Sequence, residues 1–183
     1  MIRSTLALAL AAVLAVAPAH AQKADPANTL VIELKNGPVQ VQLLPDLAPK
    51  HVARVKQLAK EGFYNGLKFH RVLDGFMAQT GDPTGTGSGG SKYGTLPAEF
   101  TPYVYKRGTI GAARTQDPNS ANSQFYICFD DNGCRGLTGQ YTVWGQVTSG
   151  MEAVDKIKRG VPGSGTVSDP DVMQKVYLLS DKK

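Results

Sequence analysis

The sequence predicts a mainly β fold of a single domain, either a closed barrel or a sandwich of two sheets. Several short segments between residues 68 and 147 are rich in aromatic and β-branched residues and are separated by glycine-rich turns. Only two segments place apolar residues at helical spacing, and neither an internal repeat nor a linker divides the chain. A length of 183 residues, 42% of them hydrophobic, fits one folded domain.

The first 21 residues are predicted to be a cleaved signal peptide. Arg3 is the only charged residue among them, Leu6–Ala17 is an unbroken apolar run, and Ala19-His20-Ala21 is a small-x-small cleavage pattern. The alternative is a buried helix or a short anchor, but the run is shorter than the roughly 18–20 residues that span a bilayer. We therefore expect export to a bacterial periplasm and no membrane attachment after cleavage.

The mature chain is predicted to begin with a flexible leader and a β-hairpin. Residues 22–28 are mostly small or polar and are assigned to the leader, so that the folded domain covers 29–183. Asn36-Gly37 is a hairpin signal between two segments of strand character, Leu30–Leu34 and Val39–Leu43. The alternation in the second segment predicts one buried and one solvated face.

A helix is predicted after this hairpin. Asp46 is a candidate N-cap, Gly62 is a candidate end, and four apolar residues lie on one face: Val52, Val55, Leu58 and Ala59. His51 lies on this helix and is expected at the surface, because a lone helical histidine is more often a solvated residue than a ligand.

The rest of the chain is predicted to consist of strands and one further short helix. Met151–Ile157 has helical spacing and is assigned to that helix. The predicted strands share aromatic and β-branched residues between turn signals. They are Lys68–Leu73, Phe76–Thr80, Thr109–Ala113, Phe125–Phe129, Tyr141–Val147 and Val172–Leu179.

Most common catalytic patterns are absent from the sequence. Gly85–Gly90 has the G-x-G-x-x-G spacing, but the residues after it cannot open the helix that a nucleotide site needs, so a surface loop is favoured. The chain has no G-x-S-x-G elbow and no metal-ligand motif, so we expect neither a metal nor another cofactor. The formal charge of +5 is scattered, and nucleic-acid binding is not expected.

Five residues separate the two cysteines in the sequence, and their redox state is left open. Cys128 and Cys134 flank a polar stretch that contains Gly133, which could bring the two sulfurs together. An oxidising compartment would allow a disulfide, whereas two unpaired thiols are equally compatible with the sequence. Because no C-x-x-C motif is present, a thioredoxin-like oxidoreductase is not expected.

Three longer segments, in this order, resemble the cyclophilin family of peptidyl-prolyl isomerases. They are FHRVLDGFMAQTGD at 69–82, GAAR at 111–114 followed by PNSANSQFYI at 118–127, and LTGQYTVWGQV at 137–147. The resemblance extends from about Thr29 to Leu179, and the signal peptide together with DPTGTG at 82–87 is similar to the bacterial periplasmic branch. It implies a closed eight-stranded antiparallel β-barrel capped by two α-helices. It also implies rotation about X–Pro bonds of proline-containing polypeptides, including unfolded exported proteins.

The resemblance assigns roles to individual residues. Arg71 is the candidate catalytic residue, because a fixed donor aimed at the proline nitrogen stabilises the twisted transition state more than the planar ground state. Phe76 and Met77 of the proline pocket are consecutive, and two consecutive residues cannot both face one pocket from a regular strand. A strand end or a bulge is therefore expected at these two residues. The proline pocket is assigned to Phe76, Met77, Tyr126 and Leu137, and further substrate contacts are assigned to Gln79, Ala113, Arg114, Gln124 and Tyr141.

The sequence departs from the best-known pattern of that family at three positions. Tyr126 replaces a phenylalanine of the pocket floor and adds a hydroxyl that needs a partner or water. Tyr141 replaces a common histidine, and Gly136 replaces a tryptophan that contacts cyclosporin in many eukaryotic members. Trp144, the only tryptophan, is expected in the core. We therefore expect isomerase activity with weak cyclosporin binding.

Two other functions remain as alternatives at this point. A peptide-binding chaperone module could use the same groove without turnover, and replacement of Arg71 would separate it from an enzyme. A nucleotide-dependent enzyme would use Gly85–Gly90 and would bind nucleotide. His70 is expected to be structural, and a monomer is the default because the sequence shows no interface signal.

Overall fold

The computed structural model describes residues 25–182, so the predicted signal peptide and residues 22–24 lie outside the described residues. Pro26–Asn28, the end of the predicted leader, form a 3₁₀ turn in which Asp25 accepts a hydrogen bond from the backbone of Ala27. The strands are β1 Thr29–Leu34, β2 Gly37–Leu43, β3 Arg71–Leu73, β4 Met77–Thr80, β5 Thr109–Ala112, β6 Phe125–Cys128, β7 Val143–Ser149 and β8 Lys175–Leu178. The helices are α1 Pro49–Lys60, α2 Asp131–Cys134 and α3 Met151–Val154.

The eight strands form one antiparallel sheet in the order β3-β4-β6-β5-β7-β2-β1-β8. The prediction of a closed barrel is wrong, because β3 and β8 are edges and the sheet is a curled half-barrel. β3 and the residues just before it meet the segment that precedes β8 only through isolated bridges, Lys68 to Val172 and Arg71 to Thr166, and scattered backbone hydrogen bonds such as Val72 N–H to the carbonyl of Gly165, without a continuous ladder. That segment contains Pro162 and Pro170, which have no backbone N–H for a ladder, so it cannot continue the sheet.

The predicted hairpin at the start of the domain is present. Leu34 pairs with Gly37 at its closed end, and the ladder continues to Thr29 opposite Gln42. Gly37 has φ +126°, a conformation that side chains with a Cβ rarely adopt, which explains the turn signal at this position. The hairpin then pairs with β8 on one side and β7 on the other, so it lies inside the sheet.

Helix α1 has the predicted buried face but a different start. It begins at Pro49 after Ala48, which makes no side-chain cap, so the prediction of Asp46 as N-cap is wrong. His51 is also not at the surface: its side chain is buried, and its Nδ1 lies 2.6 Å from a carboxylate oxygen of Glu99. The Glu99 side chain also accepts the backbone N–H groups of Lys50 and His51, and thereby satisfies the open helix end.

The other two helices are single turns. α3 covers only the first part of the predicted segment and packs against β2. α2 was not predicted, because four residues are too few for an apolar period and the stretch Asp130–Gly133 is polar with a glycine. Asp130 caps this turn by accepting a hydrogen bond from the N–H of Gly133 at 2.7 Å.

Two apolar clusters lie on the two faces of the sheet. The larger cluster contains Ile127 and Phe125 of β6 together with Trp144, which is buried as predicted. The smaller cluster contains Tyr126 and Cys128 of the same strand, because successive residues of a strand point to opposite faces. All four residues of β6 are therefore buried, and the smaller cluster forms the base of the candidate site.

Among residues 25–182, no helix has both the length and the apolar content needed to cross a bilayer.

Candidate active site

The candidate site is built from one row of residues across four neighbouring strands. Arg71 of β3 pairs with Gln79 of β4, Gln79 pairs with Tyr126 of β6, and Tyr126 pairs with Gly111 of β5. Residues that pair directly in this way lie on the same face of the sheet. The register therefore brings residues that are up to 55 positions apart in the sequence, from Arg71 to Tyr126, into one line.

A cavity of about 200 Å³ opens on this row. Nine of the ten residues that the sequence assigned to the site line it, and they come from β3, β4, β6 and three connecting segments. They are Arg71, Phe76, Met77, Gln79, Ala113, Arg114, Tyr126, Leu137 and Tyr141. The tenth, Gln124, lies in the wall of an adjacent cavity of about 450 Å³, which shares Gln79, Ala113 and Arg114 with the first.

Phe76 and Met77 reach the same cavity because the strand begins between them. Leu73 pairs with Met77, and the three residues between them form a hairpin loop with Gly75 at φ +66°. Phe76 belongs to that loop, whereas Met77 is the first residue of β4. The expected strand end is therefore present at this point.

Side-chain hydrogen bonds hold Arg71 at the mouth of the cavity. Its Nη1 donates to Oε1 of Gln79 at 3.4 Å, and its Nε donates to the backbone carbonyl of Ser164 at 3.3 Å. Gln79 in turn donates to Oε1 of Gln124 at 2.9 Å. Within residues 25–182, Nη2 of Arg71 has no hydrogen-bond partner, which leaves donors of this guanidinium for a ligand.

The glycine-rich loop holds Gln124 through two hydrogen bonds. Nε2 of Gln124 donates to the backbone carbonyls of Gly87 and Gly89 at 2.9 and 2.8 Å. These glycines belong to the segment whose spacing resembled a nucleotide motif, and no helix follows them. The loop thus contributes to the site through two carbonyl oxygens.

Asp82 occupies the place that an anion would take in such a loop. Its buried carboxylate accepts hydrogen bonds from the backbone N–H groups of Thr84, Thr86 and Gly87 at 2.6–3.1 Å and from the Thr84 hydroxyl. Burial opposes ionisation, but the hydrogen bonds from the loop, those of Thr84 and Gly87 among them, outweigh it and lower the pKa of Asp82 to about 2. The donors of the loop are therefore already used by the chain itself.

Two tyrosines, Tyr126 and Tyr141, line the cavity, and a third, Tyr105, packs against Tyr126 outside the lining. The hydroxyl of Tyr126 lies 3.0 Å from the hydroxyl of Tyr105, and the two rings are stacked with an interplanar angle of 22°. Tyr141 meets the Tyr126 ring edge-on, with centroids 5.9 Å apart. Burial raises the pKa of both Tyr105 and Tyr126 well above the usual value, so both hydroxyls stay protonated at neutral pH.

Arg114 fixes Tyr141 from outside. Its guanidinium lies over the Tyr141 ring at 4.3 Å from the centroid and donates to the backbone carbonyls of Thr115, Gln116 and Gln140. Most of its donors are therefore engaged, in contrast to those of Arg71.

The two cysteines are joined by a disulfide directly under the cavity. Cys128 pairs with Met77 across β6 and β4, and Cys134 Sγ lies 3.4 Å from the carbonyl oxygen of Phe76. The two Cα atoms are 6.1 Å apart, a usual separation for a disulfide. The bridge connects β6 to α2, and the 3₁₀ turn that carries Leu137 follows α2 immediately.

The structure adds residues that the sequence did not single out. Tyr105, the backbone carbonyl of Ser164 and the unsubstituted Cα of Gly111 all support the site, yet they lie in loops or within a strand with no periodic signal. His70 lies beneath the glycine-rich loop and does not line either cavity. Within residues 25–182, no group of three or more His, Cys, Asp or Glu residues is arranged to hold a metal ion.

The arrangement has a definite chemical capacity. It offers an apolar cavity of small volume, a guanidinium with free donors at its mouth and fixed amides beside it. Such a site can bind a ring-shaped apolar group and stabilise charge or a lone pair that develops next to it.

Comparisons with known proteins agree with this geometry. Residues 29–178 match the family described as cyclophilin type peptidyl-prolyl cis-trans isomerase/CLD. The chain is 51% identical to a probable peptidyl-prolyl cis-trans isomerase of Brucella suis, with all of this chain and 98% of the relative covered. It is 42% identical to a peptidyl-prolyl cis-trans isomerase of Helicobacter pylori over 70% of this chain and 79% of the relative.

Solved structures give the same result for the fold. A Cryptosporidium parvum cyclophilin type peptidyl-prolyl cis-trans isomerase, crystallised in the presence of the dipeptide Ala-Pro, superposes with a TM-score of 0.75 at 29% identity, covering 82% of this chain and 98% of that one. A cyclophilin from Hirschia baltica superposes with a TM-score of 0.74 at 26% identity, covering 87% of this chain and 76% of that one.

Proposed function

The chain belongs to the cyclophilin-type family of peptidyl-prolyl cis-trans isomerases, and from this we propose that it accelerates X–Pro bond rotation in exported proteins while they fold. Isomerisation at proline is the activity of the family. The observation that carries the proposal for this site is the guanidinium of Arg71 at the mouth of an apolar cavity. No feature of residues 25–182 favours a module that only binds peptide.

The reaction needs no nucleophile. Rotation about the peptide C–N bond has a barrier of about 18–20 kcal/mol because resonance is lost, and uncatalysed X–Pro isomerisation takes roughly 10–100 s. In the twisted transition state the proline nitrogen becomes pyramidal and regains a lone pair. A donor that meets this lone pair lowers the barrier, since the planar ground state offers no such acceptor.

Arg71 supplies that donor in our proposal. Gln79 and Ser164 position its guanidinium through Nη1 and Nε, and the remaining N–H groups are directed to the substrate nitrogen and carbonyl. The Gln79–Gln124 hydrogen bond keeps the acceptor side of Gln79 toward Arg71. Because these groups are in place before the substrate binds, little reorganisation is needed in the transition state.

The apolar cavity accepts the proline ring. Met77 and Tyr126 form its buried floor, while Phe76 and Leu137 are half-buried at its sides. The Ala-Pro dipeptide used with the Cryptosporidium relative supports proline-containing peptides as ligands here as well. Ala113 and Arg114 are proposed to lie along the extended peptide on both sides of the ring.

Weak cyclosporin binding is part of the proposal. Gly136 is exposed in the turn before Leu137, and a Cβ at this position would meet no atom within 4 Å. The surface next to the cavity therefore lacks the large side chain that a bulky cyclic peptide would contact. Inhibition at a stoichiometric dose of cyclosporin would contradict this.

The periplasm is the proposed compartment, with the mature protein a monomer. The predicted signal peptide supports export, and the Cys128–Cys134 disulfide fits an oxidising compartment. Expression of the full chain in a Gram-negative host should yield a periplasmic protein of monomeric size that begins at Gln22. Uncleaved protein in the cytoplasm would contradict this.

The function is tested with a chromogenic Ala-Pro peptide and with a refolding exported protein limited by proline isomerisation. The wild type should accelerate both, and Arg71→Ala should lower kcat/KM by roughly 100-fold or more. Arg54→Ala, which removes an arginine of α1, is the control and should behave like the wild type. Equal rates for wild type and Arg71→Ala would refute the role of Arg71, and no acceleration by wild type would refute the proposed function.

A further inference from the structure

We propose that Tyr105 is a positioning residue that keeps the proline pocket apolar by binding the hydroxyl of Tyr126. Tyr105 lies in the irregular segment before β5, outside the lining of the cavity. The inference rests on the proposed function of the cavity as a proline pocket. A proline ring has no hydrogen-bonding group, so a tyrosine in the floor of its pocket needs another partner for its hydroxyl.

The geometry pairs the Tyr126 hydroxyl with that of Tyr105. The two phenol oxygens are 3.0 Å apart, and both rings belong to the smaller apolar cluster. Tyr105 is 0% exposed and Tyr126 is 5% exposed, so no bulk water competes for this hydrogen bond. The Tyr126 hydroxyl is therefore hydrogen-bonded within the cluster, and Tyr126 presents no unpaired polar atom to the pocket.

Gly111 makes room for the pair. A Cβ built on Gly111 would collide with the hydroxyl oxygens of both Tyr105 and Tyr126, so only glycine permits the two to meet over this strand. The pairing of β5 with β7 shifts register between Ile110 and Gly111, a local irregularity of a kind that re-aims strands near functional sites.

Tyr105 also contacts the segment beside Leu137. Its backbone N–H donates to Oγ1 of Thr138 at 3.1 Å, and Thr138 follows Leu137 directly. One residue thus supports both the floor of the pocket and the turn that carries its outer wall.

The two ends of the Tyr105–Tyr126 hydrogen bond should respond differently to substitution. In Tyr105→Phe the Tyr126 hydroxyl loses its partner and recruits water from the cavity, and proline must displace that water and leave the hydroxyl unsatisfied. In Tyr126→Phe the orphaned hydroxyl is that of Tyr105, which does not line the pocket. In the double variant neither hydroxyl remains.

The experiment measures the Kd for an Ala-Pro peptide by calorimetry and kcat by NMR exchange. We expect the Kd of Tyr105→Phe to rise by roughly five- to tenfold with kcat within about twofold of wild type. Tyr126→Phe keeps the ring of the pocket floor and loses only its hydroxyl, so its Kd should rise clearly less than that of Tyr105→Phe, and the double variant should match Tyr126→Phe. Tyr64→Phe removes an equally buried hydroxyl that donates to the carbonyl of Ser123, and it controls for a general loss of stability.

The Kd values of these variants either support or overturn the proposed role of Tyr105. An unchanged Kd in Tyr105→Phe, or the same rise in Tyr126→Phe, in the double variant or in the Tyr64→Phe control, would overturn the proposal. Should Tyr105→Phe not fold, a folded double variant with the Kd of Tyr126→Phe supports the proposal. A double variant that also fails to fold, or that binds peptide at least fivefold more weakly than Tyr126→Phe, overturns it. Peptide binding by a wild type that does not accelerate isomerisation would refute the proposed function alone, whereas a wild type that binds no peptide would refute both.

Discussion

At the scale of single residues, the proposed catalysis depends on how the side chain of Arg71 is held. A free arginine side chain has many rotamers, and fixing it costs conformational entropy when a ligand binds. Here Gln79 contacts the guanidinium, Gln124 contacts Gln79, and the glycine-rich loop contacts Gln124. This chain of hydrogen bonds orders the proposed catalytic donor in advance, and the glycine-rich loop at its outer end does not need to touch the substrate.

The chain of hydrogen bonds predicts that Gln124→Ala lowers kcat. Without Gln124 the amide of Gln79 is free to turn, so that Arg71 loses its acceptor for part of the time. We expect kcat to fall roughly tenfold, because small losses of orientation have large effects on rate, with the peptide Kd nearly unchanged. Exchange NMR separates the two quantities. Gln57→Ala, on the exposed side of α1, is the control, and a kcat equal to wild type in Gln124→Ala would refute the positioning role.

At the scale of elements, the glycine-rich loop depends on one carboxylate. Asp82 accepts hydrogen bonds from several backbone N–H groups of the loop, in the manner that phosphate is bound elsewhere. The sequence showed the glycines but not which group their N–H donors would bind. The structure assigns that place to Asp82, and thereby explains the glycine spacing without any nucleotide.

The lowered pKa of Asp82 predicts an acid-dependent loss of stability. The folded carboxyl has a pKa of about 2 against an ordinary value of 3.8, so the unfolded chain binds more protons between these pH values. The stabilisation is therefore complete above about pH 4 and is lost as the pH falls toward 2. It amounts to about 2 kcal/mol.

Urea unfolding of wild type and Asp82→Asn tests this between pH 7 and pH 2. The difference in free energy of unfolding should shrink by about 2 kcal/mol as the pH falls from 5 to 2. Asp169→Asn changes an exposed carboxylate and should track the wild type throughout. A constant difference between wild type and Asp82→Asn would show that the carboxylate does not clamp the loop.

The disulfide between β6 and α2 is also expected to contribute to the stability of the fold. It closes a short loop between β6 and α2, and we expect reduction to lower the free energy of unfolding by about 2 kcal/mol. The measurement is urea unfolding with and without a thiol reductant. The variant with both Cys128→Ala and Cys134→Ala should not respond to the reductant. A wild type equally stable in both conditions would contradict the prediction.

At the scale of the whole molecule, the sequence predicts the strands better than it predicts how the sheet ends. The turn signal at Asn36-Gly37 and the alternation after it are local, so the hairpin was predictable. Closure depends on whether β3 finds a partner strand, and the segment before β8 is irregular because of its prolines and glycines. No local pattern in β3 or β8 records that they are edges.

The residues of the candidate site also differ in how well the sequence predicts them. Arg71, Gln79 and Tyr126 were predicted because they lie in long, specific segments of the sequence. Tyr105 could not be predicted, since its role depends on a contact 21 residues away and on the missing side chain of Gly111. The burial of His51 was missed for a similar reason, because Glu99, its partner, lies 48 residues further along the chain.

The most direct test of the central claim is exchange NMR of an Ala-Pro peptide with wild type and Arg71→Ala, which yields kcat and Kd separately. If Arg71 acts on the twisted transition state, kcat should fall by roughly 100-fold or more while Kd changes by less than about threefold. A variant that retains the wild-type kcat and binds peptide more weakly would show that Arg71 only binds substrate, and would contradict the mechanism proposed for this chain.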